Sequence, residues 1–385
     1  MDWQLTTDFT HGNAAAVELQ NAEDGVPTVY FSAHPQGGTE SLWWCFRLTR
    51  KRGRGGGSLR LAWRHYQNCL GLGGAGAARL VHPVVRRDGG AWERITAGSE
   101  RNLGNGCSTA VWEVAAPRQW LEAAFCFPHG PEEVAELSDA IGWNADAVGI
   151  SSAGRELVRL SNDYGSRECE ADGRRPGVYC VAHQHASEMS GAWALHGFLA
   201  EMARRGPEAP LVWAMPVLNV DGVNAGDYGK DPFPWDLNRA WGWPPMRAEV
   251  LACMRDVEVW RRRCEPLLCL DFHSPGGVEN DGVYTFLHNP GDNAEYHARG
   301  AAWADYFIAE LEEFAAAKFK RVANYPGRFR TEQHSTFSKF YCDEQTLGMT
   351  FEVPYHRIKE RVLQTEDYLN IGARMAGAVC AGIVR

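Results

Sequence analysis

The chain has 385 residues, 45% apolar and 23% charged, a composition that excludes disorder and a length that exceeds one ordinary core, so two domains are expected. A formal net charge of -9, with a single basic run from Arg47 to Arg64, argues against nucleic acid as a partner. No apolar run is long enough for a membrane helix, Met1 to Leu5 lacks the features of a signal peptide, and 11 cysteines without a Cys-x-x-Cys pair fit a reducing compartment; a soluble, cytoplasmic protein with no membrane partner is expected.

Up to about Ala124 the pattern is short and alternating. Its runs are Ala15 to Leu19, Val26 to Phe31, Leu42 to Leu48, Leu59 to Trp63, Leu80 to Val85, Thr109 to Val114 and Leu121 to Phe127, separated by turn clusters such as Asp88-Gly89-Gly90. Regular short strands of this kind predict an antiparallel β-sandwich over residues 1–124. Trp43, Trp44, Trp63, Trp92 and Trp112 fall within it and are expected in its core rather than on a sugar-binding face. The glycine-rich segment Lys51 to Gly57 is not followed by the Lys-Ser/Thr pair of a phosphate loop and reads as a solvated loop.

At Pro128-His129-Gly130-Pro131-Glu132-Glu133 the texture changes, and a short helix is expected through Leu137. Strands and helices then alternate: strand Val178 to Ala182, helix from about Ser187 to Arg204, strand Leu211 to Val217 and a long polar loop. Helix Arg247 to Arg263, strand Leu267 to Phe272, strand Val283 to Leu287, helix Ala294 to Phe319, strand Gly348 to Val353 and helix Thr365 to Val384 follow. The pattern predicts an α/β domain over residues 125–385, with a mixed, largely parallel sheet and helices on both faces.

The chemistry gathers in this second region. His185 and Glu188 leave the first buried strand in one tight turn and can hold two corners of a tetrahedral zinc site, although a solvated pair is the plainer reading of two such residues. His-Glu-x-x-His is absent, and Met189 stands where the inverted motif needs its second histidine. A third ligand must come from far along the chain, and His273 follows the apolar run Pro266 to Leu270, at the strand end where sites of open α/β sheets form. Two histidines and a glutamate leave the fourth corner of a zinc ion open, as in a catalytic site. Asn238 beside Arg239 suits recognition of a carboxylate, and Glu352, closing the apolar run Leu347 to Val353, is expected to be poorly solvated with a raised pKa. His183 is expected to be a wall or core residue.

The order of these pieces, His185-x-x-Glu188, the Pro216 to Gly222 turn, Asp236-Leu237-Asn238-Arg239, His273 and Glu352, resembles the zinc carboxypeptidases. It is more similar still to their cytosolic carboxypeptidase branch, whose members carry a β-sandwich before the catalytic domain. Phe125-Cys126-Phe127-Pro128 resembles that branch's aromatic-Cys-aromatic-Pro junction. The resemblance implies that His185, Glu188 and His273 bind one Zn2+ per chain, that Asn238 and Arg239 hold the substrate's terminal carboxylate, and that Asp236 fixes the ring of His185 through its other nitrogen. It also implies that Glu352 is the general base for a zinc-activated water, and that the substrate is a peptide or protein C-terminal tail. Acidic tails are one such class, with Lys230 and Lys339 or Arg330 as candidate partners for a side-chain carboxylate. The family's oxyanion arginine is missing from Gly226-Asp227-Tyr228-Gly229-Lys230, so Lys230 is expected to supply that charge; Tyr341 and Tyr325 lie where a substrate-capping tyrosine would be sought. The alternatives are a zinc deacylase or amidase acting on N-acyl amino acids, and a non-catalytic binding protein.

Overall fold

The computed structural model describes residues 3–52, 56–68, 72, 77–95, 98–102, 108–162, 175–230, 235–322 and 333–384. Before Ala124 the chain forms two five-stranded sheets. One orders the strands Trp3–Thr6, Cys45–Arg50, Trp120–Ala124, Val84–Arg87 and Trp92–Arg94; the other orders Ala15–Asn21, Pro27–Ser32, Ser58–Trp63, Ser108–Ala115 and Ser99–Asn102. Their inner faces meet through aromatic side chains: the Phe31 ring lies 4.7 Å from Phe46 and 4.8 Å from Trp44. Trp43, Trp44, Trp63 and Trp112 are buried as expected, whereas Trp92 is half-buried beneath the Arg86 guanidinium.

The sandwich departs from the sequence reading in three places. Pro27–Ser32 and Ser58–Trp63 pair in parallel, because the chain crosses to the other sheet through Cys45–Arg50 and returns in the same direction. Leu80 to Val85 splits into a short helix, Ala77–Leu80, and the strand Val84–Arg87, with Pro83 between them. The unforeseen strands Trp3–Thr6, Trp92–Arg94 and Ser99–Asn102 all stand at sheet edges, where half-exposed residues blur the alternation.

The second region is built on an eight-stranded sheet in the order Asn144–Ile150, Glu156–Ser161, Leu211–Met215, Pro176–Ala182, Glu265–His273, Leu347–Glu352, Val283–Leu287, Ala315–Val322. The central four strands, Leu211–Met215 through Leu347–Glu352, are mutually parallel, and antiparallel pairings join the flanks to them. Register sets Asp271 beside Thr350 and His273 beside Glu352, so these four share one face while Phe272 and Phe351 point the other way. On the phenylalanine face the helices Met189–Arg205 and Ala294–Leu311 pack, with Phe198 5.8 Å from Phe272 and Phe307 4.5 Å from Phe351. The opposite face is covered by Ala248–Arg261, whose Trp260 ring lies 5.6 Å from Tyr179. The C-terminal helix Thr365–Ile383 lies against Met189–Arg205 so closely that a side chain at Gly372 would strike the Ala194 carbonyl.

The helix expected over Ala294 to Phe319 ends at Leu311, where Glu312 adopts φ +51°, and Ala315–Val322 becomes the edge strand. Three alanines favour a helix, but tertiary context overrides propensity: pairing with Val283–Leu287 and burying Ala316 and Phe319 outweighs that preference. The hairpin of Asn144–Ile150 and Glu156–Ser161 was not foreseen either, since its first strand is largely exposed.

The two regions interlock. Asn13 Nδ2 donates to Gly226 O at 2.7 Å, His11 N to Val223 O at 3.1 Å, and Gln36 Nε2 to Ala225 O at 3.1 Å. Arg94 of the sandwich stacks over Phe127 and donates to Tyr368 Oη at 2.9 Å and Tyr355 O at 3.2 Å.

Candidate metal centre

The site sits at the carboxyl ends of the parallel strands. After Ala182 the chain turns through His183, held at φ +52°, a left-handed conformation uncommon outside glycine. Asn219 props this turn from the side: its N–H donates to His183 O at 2.9 Å, and its side chain caps the helix Val220–Ala225 by accepting from Gly222 N. The Pro216 to Gly222 cluster therefore has a structural use. Glu188 closes the turn in the position just before Met189–Arg205, where the helix N-terminus favours a carboxylate although its side chain makes no capping hydrogen bond.

Among the described residues, His185, Glu188 and His273 form the one group whose metal-ligand atoms all lie within 4.8 Å of one another, and all three are buried. Glu188 bridges the rings, with Oε1 2.8 Å from His185 Nδ1 and Oε2 2.6 Å from His273 Nδ1, and it also accepts from Ser274 N at 3.1 Å. The far nitrogens are held as well. His185 Nε2 lies 3.1 Å from Asp236 Oδ1, and His273 Nε2 lies 2.9 Å from Asp271 Oδ2. Each ring is thus fixed by a carboxylate on the side away from Glu188, the arrangement that orients histidine ligands around a metal. Burial opposes charging either ring, but Glu188 and Asp236 outweigh it for His185, and Asp271 and Glu188 outweigh it for His273, so both pKa values are raised. Burial likewise opposes the charge on Glu188, yet His185, Lys230 and His273 hold its pKa well below the usual carboxylate range.

Asp271 was not singled out from the sequence, although the signal was there: an acid inside the apolar run before His273, two residues from it and so on the same face of the strand. Its Oδ2 also accepts from Gln184 Nε2 at 2.7 Å, and Gln184 Oε1 accepts from Trp241 Nε1 at 2.7 Å, tying the His273 support to the loop that carries His185.

Glu352 stands beside His273 in the sheet, and its Oε2 is buried without a hydrogen-bond partner among the described residues. Burial first, then the nearby Glu188 charge, push its pKa up to about 7, against the opposing pull of His273, Lys230 and His185. Lys230 reaches Glu188 Oε1 at 3.0 Å and Glu40 Oε2, from the sandwich, at 3.4 Å. Burial lowers the Lys230 pKa less than the surrounding Tyr228, Glu188, Glu40 and Glu352 raise it, so the ammonium stays charged. Gly229 explains why an arginine is absent there: at φ +94° its Cβ would lie 2.5 Å from Ala186 N, so the close approach of the two loops admits no side chain.

The remaining expected residues divide. Arg239 is half-buried, donates from Nη1 to Asn238 O at 2.8 Å, and has no carboxylate within ion-pair distance among the described residues. Asn238, expected to bind a terminal carboxylate with it, accepts from Phe337 N through Oδ1 at 3.0 Å, and its Nδ2 lies 2.9 Å from His273 Nε2. Tyr341 is buried among Trp241, Phe337 and Phe340, a core position rather than a cap. Tyr325 and Arg330 lie outside the described residues. His183 is a wall residue as expected, fully buried with Nδ1 2.7 Å from Ala186 O.

No family model matches the chain. Cytosolic carboxypeptidase 2 of Xenopus tropicalis is 26% identical over 179 residues, 44% of this chain, and the human cytosolic carboxypeptidase 2 is 28% identical over 149 residues, 36% of this chain. The matches span only 18% and 16% of the length of those relatives. Two solved structures match end to end: a metallo-carboxypeptidase from Burkholderia cenocepacia, with TM-score 0.75, 18% identity and 100% and 99% of the two chains covered, and one from Pseudomonas aeruginosa, with TM-score 0.72, 17% identity and 99% of each. The likeness read from the motifs is met again in both kinds of relative, and over its full length, sandwich included, the chain has the metallo-carboxypeptidase fold.

Proposed function

We propose that the chain is a cytoplasmic zinc metallocarboxypeptidase that hydrolyses the C-terminal peptide bond of a peptide or protein tail, with residues 1–124 as a sandwich domain and 125–385 as the catalytic domain. The observation that carries this reading is the gathering of His185, Glu188 and His273 within 4.8 Å, buried at the strand ends. Two imidazole nitrogens and a carboxylate oxygen, each ring backed by its own aspartate, are a donor set that suits zinc. When bound, zinc supplies a Lewis acid that lowers the pKa of water and polarises a carbonyl.

The chain's own residues do the rest. Glu352, poised near pKa 7, takes a proton from the attacking water and returns it to the leaving amine. Lys230 offers a point charge to the negative charge developing on the carbonyl oxygen. Arg239 and Asn238 take the substrate's terminal carboxylate. Lys339 is exposed and Lys230 already has acidic neighbours, so acidic tails are proposed on charge alone.

The test is hydrolysis of peptides ending in acidic, basic or aromatic residues, run beside N-acetylated amino acids, before and after chelation. Peptide turnover that stops with the chelator and returns with zinc is expected. Cleavage confined to the acyl amino acids would move the chain to the deacylases, and a chain that takes up no zinc would end the reading.

A further inference from the structure

The first domain reaches the site with Glu40, in the loop between Pro27–Ser32 and Cys45–Arg50. Lys230 lies between two carboxylates, 3.0 Å from Glu188 Oε1 and 3.4 Å from Glu40 Oε2. Its ammonium therefore sits against the carboxylate that the zinc reading gives to the metal. A divalent cation and an ammonium cannot share that carboxylate at such range without strong repulsion. Lys230 cannot retreat with its backbone, because the segment before it is pinned: Asn13 and Gln36 of the sandwich hold Gly226 O and Ala225 O, and Tyr228 O accepts from Ser187 N at 3.3 Å. What remains is a swing of the side chain, and of the two other carboxylates around it, Glu40 and Glu352, Glu40 is the one it already contacts, at 3.4 Å.

We propose that Glu40 is a positioning residue: it receives the Lys230 ammonium when a divalent cation occupies Glu188, so that the sandwich domain sets both the metal affinity of the site and the place of its nearest cation. The proposal rests on the zinc reading above. With Glu40 present, metal binding costs Lys230 its pair with Glu188 but leaves it the one with Glu40. Without it, the lysine must either give up its pair or compete for Glu188.

The experiment is zinc affinity of the full chain, measured by competition with a chromogenic chelator, for the wild type, Glu40→Gln, Glu40→Asp, Lys230→Met and the Glu40→Gln/Lys230→Met double variant. Glu40→Gln is expected to weaken zinc binding about fivefold, the scale of one partly exposed ion pair. Glu40→Asp should recover part of that loss, and Lys230→Met should bind zinc more tightly than the wild type. In the Lys230→Met background Glu40→Gln should have no further effect, an outcome that a merely structural Glu40 would not give. Equal affinity of Glu40→Gln and wild type, a loss that persists without Lys230, or a Lys230→Met chain no tighter than wild type would overturn the role of Glu40 while leaving the zinc site standing. A wild type without zinc uptake would overturn both, which separates the two failures.

Discussion

Two groups of buried histidines lie within a few residues of each other and are held in opposite states. His185 and His273 are each gripped by carboxylates on both ring nitrogens, and burial fails to keep their pKa values down. His129, His183 and His196 bond mainly one another, with His129 Nδ1 3.2 Å from His183 Nε2 and His196 Nδ1 3.4 Å from His129 Nε2, and no carboxylate within ion-pair distance joins them among the described residues. Burial there wins: His183 and His196 are lowered to about 4, the adjoining His11 to about 3, and His129 well below the ordinary value. Imidazole and burial are common to both groups; the acids around the ring decide which one gathers metal-binding donors and which one only walls the loop.

If the acids carry the chemistry, the largest effect should come from an acid. Glu352→Gln keeps size and strand register but removes the proton acceptor, and kcat is expected to fall by about 10³ with zinc content unchanged, as metal analysis and steady-state kinetics on one preparation would show. Full activity would place the base elsewhere. Next comes Asp271→Asn, which leaves the His273 ring in place without its charged support; zinc affinity should drop by about 10- to 100-fold. His129→Gln, the matching change in the other group, should leave zinc affinity alone. Equal losses in the two variants would erase the distinction between the groups.

The same distinction governs what the sequence could show. The candidate metal cluster was legible because strand ends and motif order locate it: His185-x-x-Glu188 follows one apolar run and His273 another, and parallel pairing of Pro176–Ala182 with Glu265–His273 brings the ends together. Supports were harder to see. Asp271 could have been found from alternation, but Glu40 lies 148 residues before Glu188 and meets Lys230 only because the sandwich docks on the segment around Gly226. Asn238 has a partner that the motif could not show, since Phe337, brought in from 99 residues away, donates to its Oδ1. The strand Ala315–Val322 was missed for a related reason: local helix preference gave way to a sheet partner that only the fold supplies.

The smallest effect concerns stability against acid. A histidine whose folded pKa lies below its unfolded value of about 6.5 binds fewer protons in the native state, so its contribution is fully present above that pH and is lost as pH falls toward the folded value. His196 has such a depressed pKa of about 4, caused by burial, and it is half-buried at the outer end of the imidazole chain, so replacing it should disturb the fold least. Glu352 has the opposite sign: a carboxyl raised to about 7 stabilises the protein at low pH and loses that contribution as pH rises from about 4.5. Comparing a parent Glu352→Gln with Glu352→Gln/His196→Gln removes this opposing contribution from both chains. The parent's unfolding midpoint should fall relative to the double variant between about pH 6.5 and pH 4, by a few degrees because His196 keeps some contact with solvent. A difference that stays constant across this range would mean that His196 titrates alike in both states, and that the histidine wall is not held neutral by burial.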